Sequence, residues 1–302
     1  MLKVQAPGGR LLAVESWGTP EGTPVFLIHG TPGSRNGPRP RGIVLYRLGV
    51  RLISYDRPGY GGSSRHFGRT VADAAIDLKA IADHLGIERF SVVGRSGGGS
   101  HALACAALLE DRIDRVAALV SLAPSNAEGL DWYDGMTGSN VEEYSRADED
   151  LDDIEDKLAK RAELIRDDPE QLLKFLLPEL AGPDRRIVDD VAIRRLLTQT
   201  YFEGLRRSAD GWIDDVLAFR RPWGFNLSDI SVPTLLWHGA DDRFSPVGHT
   251  RWLADRIPGA EALVEEGASH FSAVEVLPRI LSWIVTGEHG MKPLALSRTA
   301  AW

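Results

Sequence analysis

Apolar positions along this chain fall into short runs, separated by longer stretches with helical periodicity. Runs at 11–17, 25–28, 51–55, 90–93, 116–122, 234–237 and 262–264 have the length and residue types of strands, and 2–5 is expected to pair with the first as an antiparallel edge. Several are continuous, as when helices cover both faces of a sheet. Positions 71, 74, 75, 78, 81, 82 and 85 make an apolar stripe that predicts a helix over 70–85, with Thr70 as N-cap and Gly86 as stop. Further helices are expected over 251–257 and 271–285, the second interrupted at Pro278. Strands alternating with helices imply an α/β fold with a mostly parallel, doubly wound sheet.

Between about 126 and 226 the strand signal vanishes, and acidic, helical, aromatic-punctuated sequence replaces it. So long a segment is no ordinary connection. The expected organisation is a core of residues 1–125 and 227–286, a helical cap of residues 126–226, and a patternless tail over 287–302.

Length and charge change this picture little. A chain of 302 residues can bury one full core with a large insertion. The net charge of −8 argues against a nucleic-acid partner, because phosphate binding needs a basic face. No run of about 18 apolar residues is present, so no membrane partner is expected. An amino terminus without a secretory pattern, and a lone cysteine, Cys105, point to the cytoplasm.

The chemistry concentrates after the fourth central strand signal. There Ser96 stands between Gly94 and Gly98, a G-x-S-x-G with a strand before it and a small-residue helix after it. A serine hydroxyl is a poor nucleophile without a base, and the base needs an orienting acid. Beyond the insertion, Asp241 and Asp242 follow one strand, and His270 follows the next. Both lie just past strand ends, where active-site loops gather in an open α/β sheet.

The segments HGTPGS, DRPGYGGS, GRSGGG, HGADDRFSP and GASH, in that order, resemble the α/β-hydrolase superfamily over nearly the whole chain outside the insertion and tail. The resemblance implies a catalytic triad of Ser96, Asp242 and His270, with Gly239 and Pro246 selecting Asp242 over Asp241. It implies an oxyanion hole from the backbone N–H groups of Thr31 and Gly97, with His29 bracing the loop and 56–63 serving as scaffold. The implied reaction is acyl transfer through Ser96 on a small-molecule substrate, most often a carboxylic ester. Two alternatives remain open. One is an amidase resembling proline iminopeptidases, although Thr31 and Gly97 replace the glycine and tryptophan usual there. The other is a small-molecule receptor on the same fold. A serine at the elbow argues against dehalogenases and epoxide hydrolases, which carry aspartate. No cofactor or metal is implied. In the cap, Trp132, Tyr133 and Trp223, with Trp212 and Phe225, are candidates to contact substrate. So is Arg95 in the elbow, for which a local salt bridge is the plainer expectation.

Overall fold

The computed structural model describes residues 1–288. The expected tail therefore lies outside the described residues, apart from its first two positions. In chain order come β1 (Leu2–Ala6), β2 (Arg10–Gly18), β3 (Thr23–Ile28), α1 (Gly42–Leu48), β4 (Val50–Tyr55), α2 (Asp73–His84), β5 (Phe90–Arg95), α3 (Gly97–Leu108) and β6 (Ile113–Leu119). Six helices follow: α4 (Gly138–Glu149), α5 (Leu151–Asp167), α6 (Gln171–Leu176), α7 (Gly182–Val188), α8 (Val191–Leu205) and α9 (Asp210–Arg220). The chain then returns to the sheet with β7 (Thr234–Gly239), α10 (Val247–Ala254), β8 (Glu261–Glu265) and α11 (Ser272–Thr286).

Among the described residues the strands form one sheet in the order β1-β2-β4-β3-β5-β6-β7-β8. β2 is antiparallel to its neighbours, and β3 to β8 run parallel. Side chains alternate across a strand, so each central strand feeds two apolar layers. Phe26 and Ile28 join the cluster containing α2 and α3 residues, while Val25 and Leu27 join the one containing Leu45 of α1 and Leu277 of α11. This is why those strands read as unbroken apolar runs. The chain steps from β3 to β4 on one side and then crosses to β5 on the other, so the carboxyl ends of β3 and β5 flank a switch point where crevices form.

The insertion helices α4–α9 have no separate core. Tyr144, Leu158, Leu197, Trp212 and Phe219 belong to the same cluster as α2 and α3, which seats the helices over that end of the molecule.

Local expectations needed four corrections. α2 starts at Asp73, and the Asp73 carboxylate accepts from the Thr70 N–H and hydroxyl at 2.7 and 3.0 Å, reversing the expected capping roles. β6 covers 113–119, because Asp114 and Arg115 conceal its first half; the charged Asp114 pairs outward with Arg89 at 2.7 Å. α10 begins at Val247, directly after Pro246, rather than at 251. α11 runs through Pro278 unbroken: the helix forgoes one hydrogen bond, and burial of Val274, Leu277, Ile280, Leu281 and Ile284 offsets it.

Candidate active site

Ser96 occupies the single residue between β5 and α3, with φ 55° and ψ −128°. L-residues rarely adopt this region, so strand and helix must over-determine it. Crowding explains the flanking glycines. A Cβ on Gly94 would strike the Gly98 carbonyl, and one on Gly98 would lie 2.6 Å from the His29 carbonyl oxygen. The Ser96 N–H is held by the Leu119 carbonyl at 2.8 Å.

The turns after β7 and β8 bring two partners to that serine. His270 Nε2 lies 3.1 Å from Ser96 Oγ, and His270 Nδ1 lies 2.8 Å from Asp242 Oδ2. Asp242 can only accept, so Nδ1 carries the ring proton and Nε2 is left to accept from the serine. The other carboxylate oxygen, Oδ1, accepts from the Phe244 and Ser245 N–H groups at 2.8 and 3.1 Å. Burial pushes the Asp242 carboxyl up, but the charges and hydrogen bonds of His270 and His238 outweigh it and hold the group well below the usual carboxylate range. Asp241 is exposed, and its N–H is spent on the Ala268 carbonyl at 2.9 Å. His238 has a supporting place: its Nε2 is 2.6 Å from the Ser245 carbonyl, which can only accept, and 3.3 Å from Asp242 Oδ2.

Across the serine, the loop after β3 presents Thr31. Neither the Thr31 N–H nor the Gly97 N–H has an acceptor among the described residues. Gly97 opens α3, where a helix leaves its first N–H groups unpaired. His29 braces the loop, its Nδ1 donating to the Gly30 carbonyl at 2.8 Å and its Nε2 accepting from the Arg57 N–H at 3.1 Å. Ser63 Oγ donates to the Asp56 carbonyl at 2.5 Å and accepts from the Ala13 N–H at 3.0 Å, a scaffold role.

Sequence reasoning missed the carboxylates that tie the insertion to both loops. Asp215 of α9 is fully buried and accepts from Thr31 Oγ1 at 2.5 Å, Tyr60 at 2.7 Å, Arg69 at 2.5 Å and Arg57. Burial pushes its carboxyl up, and the two guanidinium groups drive it far below the ordinary range instead. Asp184 of α7, also fully buried, accepts from the Phe271 N–H at 2.7 Å, next to His270. No local pattern marks either residue, since each acts on a partner far away in sequence.

A cavity of about 210 Å³ opens beside the serine. Gly30, Thr31, Ser96 and His270 form its floor, and the insertion supplies Tyr144, Tyr201, Trp212 and Phe175. Glu143 is buried in its wall, bonded by Trp212 Nε1 at 2.9 Å and Arg161 at 3.2 Å, and burial raises its carboxyl above the ordinary value. Arg95 lines the cavity with no ion pair among the described residues, contrary to the plainer expectation. Trp132, Tyr133 and Trp223 do not line it. Trp132 packs edge-on against Tyr133, Tyr144 and His249, and Trp223 stacks on Phe225, so these aromatics pack the insertion and its junction with the core.

Residues 23–275 match the family model described as alpha/beta hydrolase fold. The chain is 26% identical to a non-heme haloperoxidase of Rhodococcus erythropolis over 282 residues, covering 88% of this chain and 92% of that protein. It is 26% identical to a proline iminopeptidase of Lactobacillus helveticus, covering 84% and 86%. Among solved structures it is similar to a thermophilic esterase from Thermogutta terrifontis, with a TM-score of 0.65, 24% identity and coverage of 94% and 96%. No helix among the described residues is long and apolar enough to cross a membrane.

Proposed function

We propose, from the premise that this chain belongs to the alpha/beta hydrolase fold family, that it is a serine hydrolase cleaving a carboxylic ester of small to medium size through an acyl-enzyme on Ser96. The observation that carries this reading is the continuous relay from Asp242 through His270 to Ser96, with contacts of 2.8 and 3.1 Å. His270 takes the Ser96 proton at Nε2 as Oγ attacks the ester carbonyl carbon. The carbonyl oxygen becomes an oxyanion facing the unpaired N–H groups of Thr31 and Gly97, each such donor contributing about 3 to 4 kcal/mol to the transition state. His270 then hands its proton to the departing alcohol. In the second half it activates a water that releases the acid and restores Ser96.

Asp242 keeps the imidazole in the one tautomer that can accept from serine, and it stabilises the imidazolium. The cavity volume supports a substrate of modest size. The iminopeptidase relative supports a second reading, amide cleavage at the same serine.

A panel of nitrophenyl esters of increasing acyl length, run beside aminoacyl nitroanilides, tests the choice. Ester turnover well above anilide turnover is the expected result. The reverse ranking overturns the esterase reading in favour of the amidase one.

A further inference from the structure

We infer that Arg95 and Tyr201 form a subsite for a substrate carboxylate, so that the ester cleaved by this chain is itself acidic. The inference deepens the hydrolase reading and rests on it for the word ester, though not for the site. Arg95 is the last residue of β5, immediately before the proposed nucleophile, and it lines the cavity that Ser96 and His270 line. It is half-buried and has neither a carboxylate nor a hydrogen-bond acceptor among the described residues. The buried arginines around the site are not left so: Arg35 is paired with Asp56, and Arg57 and Arg69 with Asp215.

A guanidinium half-withdrawn from water with no counter-charge loses part of its hydration without compensation, a loss that an anionic ligand would relieve. Within the cavity wall, Arg161 is answered by Glu143 at 3.2 Å, which leaves the charge of Arg95 in excess. Tyr201 of α8 lines the same cavity, lies close enough to Arg95 to interact with it electrostatically, and its hydroxyl has no partner among the described residues. Burial pushes the Tyr201 phenol up to about 12 against the opposing charge of Arg95, so it remains a donor at neutral pH. A planar, forked cation beside a neutral O–H donor is the donor set that fits a carboxylate. Because Arg95 adjoins Ser96, that carboxylate sits only a short alkyl chain from the scissile carbonyl.

Two matched pairs separate the arrangements. Ethyl pentanoate and monoethyl glutarate differ by a methyl or a carboxylate on the acyl side; butyl butyrate and 4-butyryloxybutanoate differ in the same way on the alcohol side. Binding is measured by calorimetry in Ser96→Ala, where turnover is blocked. The acidic member of at least one pair is expected to bind roughly 10- to 100-fold tighter. Adding Arg95→Met should erase that preference, Arg95→Lys should keep part of it, and Tyr201→Phe should lose a smaller part. Arg95→Met should also raise Tm, because it removes a half-buried charge without a counter-ion; an arginine with a purely structural role would lower it. Equal affinity within both pairs, or a preference that survives Arg95→Met, overturns the subsite. Turnover with Ser96 intact is read separately. Charge-selective binding without turnover keeps the subsite and removes the hydrolase reading, whereas turnover without charge selectivity does the opposite.

Discussion

The Thr31 hydroxyl donates to Asp215 Oδ2 at 2.5 Å, joining two residues 184 positions apart. Thr31 offers its N–H to the proposed oxyanion, so the orientation of that N–H is set by a carboxylate on an insertion helix. Arg57 completes the clamp, donating to the Gly30 carbonyl at 2.9 Å and to Thr31 Oγ1 at 3.0 Å. The insertion is thereby part of what shapes the catalytic floor.

Thr31→Val keeps the N–H and the shape but removes the tie. It is expected to lower kcat/KM by roughly tenfold, about the worth of one misplaced hydrogen bond, while the protein still folds. Asp215→Ala strands Arg57 and Arg69 as unpaired buried cations and should destabilise the fold by about 3 to 5 kcal/mol. Steady-state kinetics and urea denaturation measure the two effects. A Thr31→Val enzyme with unchanged kcat/KM contradicts the clamp.

Asp242 and Asp241 are adjacent, yet only one faces His270. Asp242→Asn would leave the geometry but reverse the ring tautomer, and should reduce kcat about 10⁴-fold. Asp241→Asn, at an exposed position, should stay within about twofold of wild type. Comparable losses in both variants would contradict the assignment of the acid.

Burial keeps the imidazoles of His101 and His249, both outside the proposed triad, from taking up a proton. Burial, followed by the charge of Arg57, drives His101 from 6.5 down to about 3, and burial, followed by the charge of His238, drives His249 down to about 4. As pH falls below 6.5 the unfolded chain binds these protons and the native state does not. Their contribution is therefore complete above pH 6.5 and is lost as pH falls towards 4 for His249 and towards 3 for His101, each amounting to at most a few kcal/mol. His249→Gln retains an acceptor for the Ala123 N–H, which His249 Nδ1 now meets at 3.0 Å. Denaturant midpoints of this variant should decline less than those of wild type between pH 6.5 and 5. Parallel declines would contradict the buried neutral state of His249.

Much of the site could be read from the chain because its signals are local. Gly94 and Gly98 are compelled by backbone crowding, and the resemblance of the segment from Gly239 to Pro246 to the family's acid loop put Asp242 ahead of its neighbour. The strands were readable for the same reason, since the two apolar layers draw Val25, Phe26, Leu27 and Ile28 of β3 and Phe90, Val92 and Val93 of β5 from both faces of the sheet. Where the signal is not local, reading failed. Trp132 and Trp223 have the composition of pocket residues but are spent on packing away from the cavity, because an aromatic ring serves a core and a cavity equally well. Asp184 and Asp215 look like ordinary charges on acidic helices until the fold delivers a loop N–H or a pair of arginines to them. Arg95 stands out as a substrate-contact candidate in the elbow, but the absence of a carboxylate partner is a property of the folded wall and has no local trace.

The central claim is that His270 and Asp242 make Ser96 nucleophilic. Labelling with a fluorophosphonate, read by intact-mass and peptide mass spectrometry, tests it most directly. Wild type should gain one adduct, located on Ser96, and labelling should be abolished in Ser96→Ala and slowed by at least about 10³-fold in His270→Gln. A folded wild-type protein that takes no label, or one labelled equally fast without His270, would contradict it.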